Sequence, residues 1–332
     1  MRMRAPSFGE VLDHEHDVSS ASRVPETSTM DGEKLSVDDA WNTIRRHGRW
    51  KLVRDGFVRF RYADGFSHAR ALAFQICLAI VPFIVSLLGL AATLHQQKLG
   101  DVVKNTLTKL TPGSSDTLLD AALKGHAGTG TQIALWLGLA GGIVSLTTAM
   151  GQVERGANRI YGIERDRPSL KKYGHAVAMV VTVGLSTVTG FLLIVAGSAL
   201  GRSLAAAYHW SHDDQLAWDF TRWPLGIALA LVSATIVFSR APHRRQPGGT
   251  WLAIGALTSL ILWLVFTVLL ALYAARSSTF GSTYGPLTGV LALLIWANLS
   301  ALALFLGVSF SAQLEAVRAG SPQPIEPRPS SP

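Results

Sequence analysis

The chain has 332 residues, of which 48% are hydrophobic and only 16% charged, and its mean hydropathy is +0.29. The first 70 residues and the last dozen are polar, so the apolar residues must be concentrated between them, in six long stretches without Asp, Glu, Lys or Arg. That pattern excludes an ordinary cytosolic enzyme, a secreted disulfide scaffold and a mainly disordered protein. It predicts an all-α, polytopic membrane protein. The net charge of +8 would suggest nucleic acid in a soluble protein. In a membrane protein the same excess is expected on cytoplasmic loops, so no nucleic-acid partner is expected.

In chain order, residues 1–37 hold few large apolar side chains and predict a disordered cytoplasmic tail. His14 and His16 lie there without fixed geometry for a metal. No cleavable signal peptide is expected, because this segment lacks an apolar core. In residues 38–66, Trp41, Ile44, Trp50, Val53, Phe57 and Phe60 recur near helical spacing among seven Arg and Lys residues. A basic amphipathic helix of this kind suits an anionic leaflet; a solvated face packed on the protein's own loops is the alternative.

A six-helix transmembrane domain is expected over residues 67–318. Its spans fall at about 71–94, 131–150, 176–200, 223–239, 250–274 and 286–312. Each can cross a hydrocarbon core of about 30 Å, and continuous apolar runs require helices rather than alternating strands. Between the first two spans, residues 101–124 read as short outer amphipathic helices divided by Thr111-Pro112-Gly113. Residues 319–332, rich in proline, predict a second disordered tail. With the N-terminus inside, 23 of the 30 Lys and Arg fall on inner segments, which favours cytoplasmic termini at both ends.

Within the spans, small residues recur at helical spacing. Examples are Gly138, Gly142, Ser145 and Ala149; Gly197 and Gly201; and Ala297, Ser300, Ala303, Gly307 and Ser311. These stripes let helices approach closely and are read as packing ahead of a substrate path. Pro82 should kink the first span. Gln75 and Asn298 are larger polar side chains that can bond across helices or line a cavity. No Asp, Glu, Lys or Arg lies deep in a span, which weighs against a proton-driven pump. Edge charges remain: Glu154, Arg155 and Arg159 at the inner face, and Arg202, Arg222 and Arg276 at the outer face. Arginines at an interface can hold a phosphate or carboxylate headgroup, and they also serve simply as topology determinants.

The chain shows no HExxH, GxSxG or Walker loop. His209, His212, Asp213 and Asp214 cluster in a loop-like outer segment without a matching second half. No catalytic residue, cofactor or metal site is therefore expected. Lone Cys77 reads as a packing residue.

The segments HARALAFQICLAIVPFIVSLLGLA, GANRIYGIERDRPSLKKY and the run from PHRRQPGG to SAQLEAVR resemble the YihY/BrkB family of bacterial inner-membrane proteins. Asn158, Tyr161, Gly162, Arg167 and Pro168 fall on recurrent positions of that family's inner loop. Tyr284 and Gly285 fall on its YG step before the last span. The resemblance covers about residues 40–318. Ser309 stands where members commonly have an acid, and Gln75 where they often have Tyr.

The resemblance implies six transmembrane helices with both termini cytoplasmic and no settled activity. Members have been labelled ribonuclease BN or linked to serum resistance or lipopolysaccharide-lipid export. The expectation is an inner-membrane protein that binds or exports an anionic, amphiphilic envelope lipid or metabolite. Pro82, Gln75, Glu154, Arg155, Asn158, Arg159, Tyr284, Gly285 and Asn298 are the candidate substrate or gating residues. A non-transporting scaffold with envelope-assembly partners is the alternative, a membrane ribonuclease a remote one, and a homo-oligomer is compatible with either of the first two.

Overall fold

A computed structural model of the chain describes residues 20–27, 35–93, 129–163, 167–276 and 288–325. The expected outer helices of residues 101–124, and Tyr284 and Gly285, lie outside the described residues. The described elements are helical except for one isolated bridge, Ala21 to Ile325.

Helix α1 (Val37–His47) starts at Ser36, whose hydroxyl accepts from Asp39 N at 3.3 Å. Asp38 and Asp39 occupy its first turn and Arg45, Arg46 and His47 its last, matching the helix dipole at both ends. Gly48, at φ +93°, stops it. Helix α2 (Arg49–Tyr62) follows at once, and Ala63-Asp64 turn the chain into α3 (Gly65–Thr93). The single interfacial helix expected over 38–66 is therefore two helices and the start of a third. The physical reason is Gly48, whose left-handed backbone no helix can continue through.

Helix α4 is Thr129–Ile160 and α5 is Ser169–Phe191. A π-helical turn at Leu192–Ala196 passes into α6 (Gly197–Tyr208). Helix α7 is His212–Arg240, α8 is Gly249–Arg276 and α9 is Thr288–Arg318. Among the described residues, five stretches are long and apolar enough to cross a membrane: Leu135–Ile160, Lys171–Ile194, His212–Arg240, Gly249–Ala274 and Gly289–Arg318. In α3 the apolar stretch of this kind is the shorter Gly65–Ile80. At 1.5 Å per residue the five reach roughly 36–45 Å, past a hydrocarbon core of about 30 Å.

Two expected boundaries move substantially. The 201–222 segment is helical almost throughout, because α6 runs to Tyr208 and α7 begins at His212. Ser211 is the reason: its hydroxyl accepts from Asp214 N at 3.2 Å, and the Asp214 carboxylate accepts from Ser211 N at 2.9 Å. This capping box converts the expected loop cluster of His and Asp into a helix start. At the other end of the bundle, α4 and α9 continue beyond their apolar runs. They carry Glu154, Asn158, Gln313 and Glu315 into the protein's interior.

Packing is pairwise and close. Helix α9 lies against α2, α3, α4 and α8, while α7 joins α5 to α8. At the α8–α9 crossing a Cβ on Gly307 would sit 2.8 Å from Gly255 O and 2.5 Å from Ser259 Cβ, so only hydrogen fits there. Gly138 of α4 plays the same part against Pro82 and Ser86 of α3, where its Cβ would come within 2.8 Å of Ser86 N. These contacts support the packing reading of the small-residue stripes. The other helix faces are apolar and open: Leu137, Val181 and Leu185 are 68–76% exposed, too much grease for water.

In the terminal segments the described residues 20–27 and 319–325 are ordered against the bundle rather than loose. Ala21, Val24 and Thr27 are buried. Ser22 N donates to Pro324 O at 3.1 Å, and Val24 N to Tyr161 O at 3.1 Å. Residues 20–27 thus form a strap across the end of the bundle where α2, α4, α7 and α9 meet their connections. We call this the proximal end, and the end holding the 209–211 turn the distal end.

Candidate functional site at the proximal end

The site grows from two places where a helix outlasts its apolar run, and from one buried arginine on α2. At the end of α4, Glu154 and Asn158 are 2% and 0% exposed. Glu154 pairs with Arg167 at 3.0 Å. The same guanidinium donates to the carbonyls of Arg240, Ala241 and Pro242 at 3.2–3.3 Å, where the end of α7 has acceptors without helical partners. Asn158 accepts from His243 N at 2.7 Å, and its own carbonyl accepts from Ile163 N at 2.8 Å. One residue thereby pins the α7–α8 connection through its side chain and the turn after α4 through its backbone carbonyl.

At the end of α9, Glu315 is fully buried and pairs with Arg244 at 2.5 Å. Its Oε1 also accepts from the Thr27 hydroxyl at 2.6 Å. Arg244 donates to Val24 O and Pro25 O, each at 3.0 Å, and its guanidinium lies 4.9 Å from the Tyr161 ring centroid. Burial pushes the Tyr161 hydroxyl above the usual tyrosine range, and the neighbouring Glu315 carboxylate adds to the shift. The Tyr161 and Ser311 hydroxyls are close enough to interact, yet neither has a well-formed hydrogen bond.

On α2, Arg59 is fully buried beside Phe60. Its Nε donates to Gln313 Oε1 at 2.8 Å, Nη1 to Ser22 O at 2.7 Å and Ile160 O at 3.2 Å, and Nη2 to Ser22 Oγ at 3.0 Å. Among the described residues no carboxylate pairs with it, and burial pushes its pKa down to about 10. Gln313 Nε2 in turn holds Pro322 O at 2.7 Å, and the Ser22 hydroxyl donates to Gln323 O. The strap and the chain beyond α9 are bound through the same few side chains.

The sequence candidates separate into three groups. Glu154 and Asn158 belong to this network, whereas Arg155 and Arg159 face outward from the same turns of α4. Pro82 and Gln75 sit in the bundle instead. Ser86 Oγ donates to Pro82 O at 2.8 Å, and Gln75 Oε1 accepts from the Thr148 hydroxyl at 3.0 Å. Asn298 is half-buried on α9, away from the proximal end. Arg59, Arg244, Gln313 and Glu315 were not among the candidates. Ser309 is buried and donates to Gly56 O at 2.7 Å, tying α9 to α2. Among the described residues no three His, Cys, Asp or Glu side chains come together as a metal site.

The sequence profile described as virulence factor BrkB matches residues 57–331, from the middle of α2 to the end of the chain. The chain belongs to the BrkB family. It is 23% identical over 270 residues to the ribonuclease-like protein YfkH of Bacillus subtilis, covering 79% of this chain and 94% of that one. UPF0761 membrane proteins of Halorhodospira halophila and Stenotrophomonas maltophilia are each 25% identical, over 259 and 305 residues. The alignments span 75% and 89% of this chain, and 54% and 68% of those proteins. No solved structure matches. The BrkB assignment makes this a membrane protein of a group not known as an enzyme family, and the ribonuclease-like name belongs to a distant relative.

Proposed function

We propose that this BrkB-family protein is an inner-membrane protein that binds, and passes across the bilayer, an anionic amphiphilic lipid or metabolite of the envelope. In this reading α3 completes a sixth crossing and the proximal end faces the cytoplasm. The distribution of 23 of 30 Lys and Arg onto that side supports the orientation. The observation that carries the reading is the end of α4. Arg155 and Arg159 stand exposed one helical turn apart, at the edge of apolar helix faces and directly beside the buried Glu154–Arg167 pair. Two guanidiniums at the rim of an apolar surface suit a phosphate or carboxylate headgroup whose tails stay in the lipid. The exposed face of α1 and α2 offers a second surface of the same kind. Trp50 is 85% exposed, and Arg45 and Arg49 stand over the half-open Trp41 ring at 5.2 and 5.5 Å.

The test is lipid translocation by protein reconstituted in liposomes. Arg155→Ala and Arg159→Ala should each slow translocation of an anionic lipid and leave a zwitterionic one unaffected. Unchanged rates in both variants would remove the headgroup role.

A second reading takes the α1–α2 face as the contact surface of a non-transporting scaffold. The exposed Trp41, Trp50, Val53 and Phe57 favour it. Crosslinking in cells should then recover a reproducible envelope-assembly partner that is lost when Trp50 and Phe57 are replaced by Ser.

A further inference from the structure

Arg59 is a permanent cation taken fully out of water, and its described partners are all neutral oxygens. An unpaired buried charge is among the most unfavourable arrangements a protein can hold, so its acceptors matter. Two of the four come from one residue of the strap. Nη1 and Nη2 reach Ser22 O at 2.7 Å and Ser22 Oγ at 3.0 Å, so a single residue fills the forked end of the guanidinium with two oxygens. That is how a carboxylate or phosphate engages arginine. The remaining acceptors, Gln313 Oε1 and Ile160 O, belong to α9 and α4 and would stay in place without the strap.

The strap itself is a thin element. Beyond the Ser22 contacts it is held by Val24 N on Tyr161 O, by Arg244 on Val24 O and Pro25 O, and by Thr27 on Glu315. It crosses Gly162 so closely that a Cβ there would come within 2.6 Å of Arg23 Cα. Gly162, at φ +70°, supplies both the turn and the clearance. Arg244 keeps its Glu315 partner when the strap leaves, whereas the fork of Arg59 would lose both Ser22 oxygens and keep only Ile160 O, on Nη1.

We propose that Ser22 is a built-in stand-in for an anion, and that the fork of Arg59 is an anion site opened when a phosphate-bearing ligand displaces the 20–27 strap. The proposal extends the lipid reading and rests on it only for the source of the phosphate, a lipid headgroup or a soluble ion.

Strap release can be read in the full chain. With Cys77 replaced by Ala, Val24→Cys places one thiol at a position only 2% exposed. Its labelling by a water-soluble maleimide is followed in zwitterionic nanodiscs. One arm adds inorganic phosphate, a second replaces part of the lipid with phosphatidylglycerol, and a chloride control matches ionic strength. At least one phosphate arm should accelerate labelling over chloride, and the arm that does so names the source.

Arg59→Gln should abolish that acceleration. Ser22→Ala keeps Arg59 and loses one strap contact to a charged group. It should lower the phosphate or phosphatidylglycerol level needed for half-effect by about tenfold. The proposal is overturned if neither phosphate arm exceeds chloride, or if acceleration persists undiminished in Arg59→Gln. A null result here leaves the Arg155 and Arg159 translocation test untouched, so the two ideas fail separately.

Discussion

The two ends of the bundle are closed by different chemistry. At the distal end a three-residue turn joins α6 to α7. It is held by the Ser211–Asp214 cap and by Trp218 Nε1 donating to Gly197 O at 2.8 Å, with Gly201 leaving room for the indole. These polar contacts lie within one helical hairpin. At the proximal end Arg59, Glu154, Arg167, Arg244, Gln313 and Glu315 join five separate stretches of chain, and most are buried. A local hairpin can be capped cheaply, but distant segments with buried charges must satisfy one another. Disturbing the proximal end should therefore cost far more than disturbing the distal one.

The largest effect is expected from Arg244→Ala, which leaves Glu315 buried without its cation. A loss of about 3–5 kcal/mol is anticipated, read as a lower midpoint of thermal unfolding in detergent. The double change Arg244→Met with Glu315→Leu should recover most of it. A single variant as stable as the parent would contradict the buried pair. Next comes Gly307→Ala. Its methyl group must push α8 and α9 apart, at about 1–3 kcal/mol, measured in the same way. At the distal end, Ser211→Ala removes the cap and should cost only about 1 kcal/mol. A cost equal to that of Arg244→Ala would erase the contrast between the ends.

Tyr161 sharpens the comparison through pH. Its folded pKa lies above the unfolded value of 10.0. Below pH 10 both states keep the proton and the group adds no pH dependence. As pH rises past 10 the unfolded chain loses its proton first, so stability falls. Tyr161→Phe should flatten that alkaline decline in a denaturation series and change little at neutral pH. An identical alkaline slope in the variant would show that Tyr161 is not the buried group responsible.

The helical class was legible because apolar runs without charges admit few other solutions. The fifth span was legible almost to the residue, since Gly249 and Arg276 bracket it. The 201–222 segment was misjudged because Arg202, Arg222 and the His–Asp cluster looked like a polar loop, while the capping box that makes it helical needs only Ser211 and Asp214. The proximal network was half visible. Glu154 and Asn158 stood out at the end of an apolar run, but Arg59 is one of many cations in its stretch. Only its register offered a signal: Leu52, Asp55, Gly56, Arg59 and Phe60 share the face of α2 that is buried. The strap carries no periodicity at all, and its place is fixed by partners elsewhere in the chain, among them ones 37, 220 and 288 residues away.

The central claim, that the proximal end grips an anionic amphiphile, is tested most directly by native mass spectrometry of the protein released from mixed-lipid nanodiscs. The account predicts retention of anionic over zwitterionic phospholipid, with the preference reduced in the Arg155→Ala/Arg159→Ala double variant. Equal retention of both lipids by the parent protein would contradict it.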